Sequence, residues 1–253
     1  MSAAASARIA ILAAQVEEVA PLLARLGARY DGADATARHW RSDLDSVAVA
    51  VSGMGRRRAR AAARALLDRS GARYLIVCGV AGALTPDLEV GALVVAETVV
   101  NDNGARLDTD RRGIRAALDA GARLGAAITV DRMIATPADR STLRALARGP
   151  DPTRPLVVDM ESYEAVAEAA ARGLAAMVVR AVSDAVGEEL PAFLEQCRRP
   201  DGDLDRRRAI FGALTHPASI PMLFELRRRV RRGADGLADL LERVLPVLRA
   251  DPV

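Results

Sequence analysis

The thirty residues Pro155 to Asp184, PLVVDMESYEAVAEAAARGLAAMVVRAVSD, constrain the fold more than any other stretch of this chain. Leu156 to Asp159 is a short apolar run ending in a carboxylate. Glu161 to Arg172 follows with Ala165, Val166, Ala169 and Ala170 at helical spacing, and Gly173 stops it. Ala176 to Val182 is a second apolar run, rich in Val, as suits a strand buried on both faces. Two such strands joined by a helix predict a right-handed parallel crossover. Ligands of parallel sheets bind beyond the carboxyl ends of the strands. The polar groups at those ends are Asp159 and Glu161 on one strand and Ser183 and Asp184 on the other.

The same grammar runs through the preceding residues. Arg8 to Ala14 reads as a strand passing into a helix whose Val19, Leu22, Leu23 and Leu26 share a face, with Glu17 and Glu18 in its opening turn. Acids there also favour the positive end of the helix dipole. The segment to Asp45 is weakly patterned. VAVAV then forms a strand, and Ser52-Gly53-Met54-Gly55 opens an Ala/Arg helix, a junction whose free N–H groups suit an anion, with Arg56, Arg57 and Arg58 beside it. Tyr74 to Cys78 is a central-strand run that breaks into a small-residue turn from Gly79 to Leu84. Further strands are expected at Val90 to Val100 and Ala126 to Ile134, and helices at Arg111 to Gly125 and Pro137 to Ala147. The fold class is α/β with a mostly parallel, mixed central sheet. After Asp184 only helices are expected: Glu188 to Gln196, Leu204 to Leu214, Ile220 to Arg232 and Leu237 to Leu248. The chain thus divides into an α/β domain at 1–190 and an all-helical extension at 191–253.

Composition narrows the function. Aromatic residues are 3% of the chain, too few for a base-stacking module, so no nucleic-acid partner is expected. Every basic residue is Arg, and the net charge is only +3. Cys78 and Cys197 stand apart, and His39 and His216 are the only histidines, so neither a metal nor an organic cofactor is expected. No uncharged apolar run reaches the length of a membrane span. The cytoplasm is the expected location, with peripheral membrane contact as a role for the arginines at 227–229 and 231–232 beside Leu223, Phe224 and Leu226.

Four blocks, RIAILAAQVEEV, VAVAVSGMG, YLIVCGVAGALTPDLEVGALVVA and VVDMESYEAVAEAAARGLAAMVVRAVSD, resemble the purine nucleoside phosphorylase and nucleosidase superfamily. The likeness is strongest to its methylthioadenosine/S-adenosylhomocysteine nucleosidases, while RRPDG and the tail resemble its hopanoid-associated phosphorylase-like proteins. The resemblance implies a three-layer fold and a homodimer or larger homo-oligomer. It also implies roles: Glu18 handles the attacking water, Asp184 protonates the purine, and Glu161 binds the ribose hydroxyls. Met160 lies against the sugar, Met133 and Ile134 contact the base, and Gly53, Gly79, Val80 and Ser183 complete the substrate site. Val80 stands where the family usually has serine, and Val77 where many phosphorylases have a phosphate-binding arginine; both departures count against phosphate.

Cleaving a base from ribose builds positive charge on the sugar and negative charge on the base. Two acids with opposite tasks are therefore needed, one ionised near the sugar and one carrying a proton near the base. Glu18 and Glu161 are the neighbours expected to favour a protonated Asp184. The leading expectation is hydrolysis of an adenine-type nucleoside. A second is phosphorolysis, including that of a lipid-linked adenosine such as a hopanoid precursor, and a third is a non-catalytic nucleoside-binding or membrane-surface protein.

Overall fold

The computed structural model describes residues 8–42, 46–146, 154–191, 193–197, 199 and 215–250. In chain order its strands are β1 (Ile9–Ala13), β2 (Arg29–Ala33), β3 (Arg38–Ser42), β4 (Val47–Val51), β5 (Tyr74–Ala83), β6 (Leu93–Asn101), β7 (Arg106–Asp108), β8 (Arg123–Thr129), β9 (Leu156–Asp159) and β10 (Ala175–Asp184). The helices are α1 (Val16–Arg25), α2 (Arg56–Ser70), α3 (Arg111–Asp119), α4 (Pro137–Leu146), α5 (Ser162–Ala170), α6 (Phe193–Gln196) and α7 (Ile220–Ala250).

One mixed sheet runs β10-β6-β8-β9-β5-β1-β4-β3-β2, and β10 also pairs with β5, so β5, β10, β6, β8 and β9 close a ring. The crossover through α5 does not place β9 beside β10. Instead β10 runs parallel to β5, and β9 meets the far end of β5 antiparallel at Gly82 and Ala83. Alternation along β1 sorts the two faces. Ala10 and Leu12 join the alanines of α2 and α5, including Ala59, Ala63, Ala165 and Ala169. Ile9, Ile11 and Ala13 face α1, α3 and α7 through Leu22, Ala117, Leu237, Leu241 and Val244. A sheet covered on both faces by helices is the three-layer arrangement, with its core in those two sets of contacts.

Besides the bounds of α3 and β8, where the helix stops at Asp119 and the strand runs from Arg123 to Thr129, four local expectations change. Residues 29–42 are not irregular but form the antiparallel edge strands β2 and β3. β5 does not break at Gly79 but continues to Ala83, because β10 pairs with it from Tyr74 to Gly82 and β9 at Gly82 and Ala83. Gly233 does not split the tail. One helix spans 220–250, and Gly233 lies where α7 crosses the sheet so closely that a Cβ would come within 3.0 Å of that of Ala181. Of the helix expected at Glu188 to Gln196 only Phe193–Gln196 forms, since Leu190 N–H bonds Ala135 O and Glu188 caps Ala185 N–H and pairs with Arg229. The helix expected at Leu204 to Leu214 lies outside the described residues. Among those described, no helix is long and apolar enough to cross a membrane.

Candidate active site

β5 and β10 lay the site out, because their paired carboxyl halves carry or touch nearly every polar group in it. Glu18, in the first turn of α1, is buried and folds back over the strand ends. Its Oε2 accepts from the N–H groups of Ala14 (3.1 Å) and Gln15 (3.0 Å), and its Oε1 from that of Val80 (3.2 Å). Burial pushes its carboxyl above the usual carboxylate range, with Arg180 and the three N–H groups partly opposing.

Glu161 precedes α5 and reaches the start of α2, where Gly55 N–H donates to its Oε1 at 2.9 Å. The anion-receiving junction at SGMG is therefore occupied by the protein's own carboxylate. Arg56 is not part of it: its guanidinium pairs at 2.7 Å with both Glu164 and Asp102. Burial pushes Glu161 up to about 7; Arg180 opposes this, and the neighbouring carboxylates of Asp159 and Glu18 add to it.

Arg180 sits among these acids, 1% exposed. Its Nε and Nη2 donate to Ser162 Oγ (3.2 and 2.9 Å), Nε lies 2.9 Å from Asp159 Oδ2 and Nη2 3.7 Å from Glu161 Oε2. The Asp159 contact is an ion pair without hydrogen-bond angles. Asp159 Oδ1 meanwhile takes Thr129 Oγ–H and the N–H groups of Glu161 and Ser162, fixing the start of α5. Arg180 Nη1 has no acceptor among the described residues and converges with Glu18 on Gly79. A Cβ there would stand 2.6 Å from Nη1 and 3.0 Å from Glu18 Oε2, so only glycine leaves room for both groups.

Three residues further along β5, from Gly79 to Gly82 and about 10 Å at strand rise, lies a second cluster. A bulge in β10 between Val182 and Asp184 sets Asp184 opposite Gly82. Asp184 Oδ1 accepts from Ser183 Oγ (2.5 Å), and Oδ2 accepts from Arg140 Nη2 (2.5 Å). Arg140, from α4, has no exposed surface and also donates to Ala83 O at 3.1 Å and Ile134 O at 3.4 Å. The near charge beside Asp184 is therefore a guanidinium; Glu18 and Glu161, expected as its neighbours, face Arg180 instead.

The structure thus brings Glu18, Glu161, Gly79 and Val80 together around Arg180, and joins Ser183 to Asp184 on β10. Met160 touches the first group through its N–H to Glu161 Oε2 (3.3 Å), and Gly53 N–H bonds Ala14 O. Met133 N–H is held by Glu195 of α6. Ile134 packs with Leu84, Ile128 and Leu143 and meets the Asp184 cluster through its carbonyl. Sequence reasoning missed Arg180 and Arg140. The first had a signal, since a charge inside the apolar run MVVRAV must find partners. The second had none, as one arginine among several polar residues of α4. Among the described residues no group of three or more His, Cys, Asp or Glu is placed to hold a metal.

The chain is similar to known proteins in sequence and in fold. The chain is 30% identical over 210 residues to the 5'-methylthioadenosine/S-adenosylhomocysteine nucleosidase of Geobacillus kaustophilus, covering 75% of this chain and 89% of that protein. It is 26% identical over 206 residues to the aminodeoxyfutalosine nucleosidase of Campylobacter jejuni, covering 72% and 87%. Its fold is similar to that of the Colwellia psychrerythraea 5'-methylthioadenosine/S-adenosylhomocysteine nucleosidase in complex with adenine, with a TM-score of 0.74, 20% identity and 98% of each chain covered. The sequence profile described as the phosphorylase superfamily matches residues 8–200, and the chain belongs to that superfamily.

Proposed function

We propose that this protein hydrolyses the N-glycosidic bond of an adenine-type purine nucleoside, releasing the base and a free sugar. The observation that carries the reading is the charge of the Arg180 cluster, where Asp159, Glu161 and Glu18 surround one guanidinium. A buried excess of acid stabilises a sugar that turns cationic in the transition state and opposes entry of a phosphate dianion. The relatives' substrates, nucleosides of adenine with different 5' groups, fit the same scheme.

In this scheme Glu161, ionised, accepts hydrogen bonds from the ribose hydroxyls. Glu18 spends three of its roughly four acceptor sites on backbone N–H groups and offers the remaining one to water. Arg180 Nη1 points to the same place and orients that water for attack, while Glu18 takes its proton. At the other end Asp184 gives a proton to the departing base. Incubation with an adenine nucleoside should yield adenine and free sugar at equal rates with and without inorganic phosphate; strict dependence on phosphate, with a sugar 1-phosphate as product, would replace hydrolysis by phosphorolysis.

A further inference from the structure

We propose that Arg140 is a positioning residue for the proton donor: it fixes which oxygen of Asp184 carries the mobile proton and balances the charge left there once the base has gone. This rests on the reading of Asp184 as the donor. A guanidinium can only donate hydrogen bonds. Oδ2, met by Arg140 Nη2 at 2.5 Å, is therefore the acceptor oxygen, and the proton to be given away lies on Oδ1. Ser183 Oγ, 2.5 Å from Oδ1 and 3.3 Å from Ala81 O, keeps a partner in either state.

As the C–N bond to the sugar breaks, its electron pair leaves with the base. The O–H bond at Oδ1 breaks in the same step, and an N–H bond forms on the imidazole-ring nitrogen of the purine remote from the sugar. The negative charge then rests on a carboxylate that is 5% exposed, where an unpaired anion would be costly. Arg140 is already beside it and needs no rearrangement.

The same guanidinium ties three segments together. It holds the end of β5 through Ala83 O, the Met133–Ile134 segment through Ile134 O, and the end of β10 through Asp184. Gly82 makes this approach possible, since a Cβ there would lie 2.8 Å from Asp184 Oδ2 and 3.2 Å from Arg140 Nη1. Stability alone does not account for the arrangement. Arg140 Nε has no acceptor among the described residues, and a buried ion pair of this kind is commonly no better than well-packed apolar side chains.

The test uses Arg140→Met, Arg140→Lys, Asp184→Asn and the double variant Arg140→Met/Asp184→Asn, with 5'-methylthioadenosine or adenosine as substrate. Arg140→Met should lower kcat about a hundredfold while KM stays within about threefold, because the charge it balances appears only in the transition state. Arg140→Lys, which keeps the cation, should recover to within about tenfold of the parent. In the Asp184→Asn background, Arg140→Met should cost nothing further. Full turnover by folded Arg140→Met, equal losses in the Met and Lys variants, or independent losses in the double variant would make Arg140 a packing residue. If Asp184→Asn itself turns over normally, it is the donor assignment that fails. Should Arg140→Met not fold, Arg140→Gln replaces it in the same comparison.

Discussion

The two ends of the candidate site each bury an arginine, yet they use it differently. At the Arg180 end one guanidinium is shared by three carboxyl groups, and burial holds Glu18 and Glu161 above the usual carboxylate range. At the Arg140 end one guanidinium meets one carboxylate at 2.5 Å. The first end carries unbalanced negative charge and suits a cation that forms during the reaction. The second holds one cation for one acid, so it becomes balanced when that acid gives up its proton. Charge separation across a C–N bond is thus anticipated by two clusters three residues apart on one strand.

The strongest test of this contrast is to remove one acid from each end. Asp184→Asn and Glu18→Gln should each lower kcat by roughly two to four orders of magnitude, with nucleoside affinity largely kept. A Glu18→Gln protein with full turnover would mean that the Arg180 end does not activate water.

Removing Arg180 should cost stability as well as activity. Arg180→Met leaves buried acids without their cation, a loss of about 3–5 kcal/mol that thermal or denaturant melting would measure near neutral pH. The glycines sharpen the same comparison. Gly79→Ala should disturb the Glu18–Arg180 pair and Gly82→Ala the Asp184–Arg140 pair, so each should lower turnover through its own end. Equal binding of a nucleoside to the parent and to both variants, with unchanged kcat, would show the two approaches to be looser than described.

Glu161 supplies a pH signature. Its carboxyl is raised from 4.5 to about 7, and the role given to it requires the ionised form, so kcat/KM should fall about tenfold per pH unit below that value. The sign for stability is opposite. Between those two pH values the folded state holds a proton that the unfolded state has released, so this group lowers stability as pH rises and its effect levels off above about 7. Glu161→Gln should flatten that slope; an unchanged slope would place its cause elsewhere. The smallest effect belongs to Arg56→Met, which breaks a part-exposed pair with Glu164 and Asp102 and should change stability by no more than about 1 kcal/mol, with no change in phosphate dependence.

The acids of the site were legible because each follows an apolar run: Glu18 after β1, Glu161 after β9 and Asp184 at the end of β10. Helix stabilisation and chemistry, competing readings for Glu18, prove to be compatible, since the carboxylate that receives the N–H groups at the start of α1 also holds Val80. Their partners were harder to see. Long-range pairing decides which arginine meets which acid, and Arg140 reaches Asp184 across 44 residues of sequence. The glycines of β5 read as a turn because glycine weakens a strand signal; pairing with β10 and β9 overrides it. β2 and β3 escaped because RYDGA and RHWRS carry no apolar run and lie at the sheet's edge.

The ring of strands around β5 has a consequence for how the protein is made. Glu18 reaches Val80 across 62 residues and Gly55 reaches Glu161 across 106, so the groups of the candidate site meet only after distant parts of the chain have paired. Such contacts form slowly, since the entropy of closing long loops must be overcome before any of them stabilises the chain. No fragment ending before β10 contains Arg180 or Asp184, and none beginning after β1 contains both the first strand and its acid in place. Recovered turnover in a refolding experiment should therefore lag behind recovered helix content, reporting closure of the ring instead of collapse of the chain.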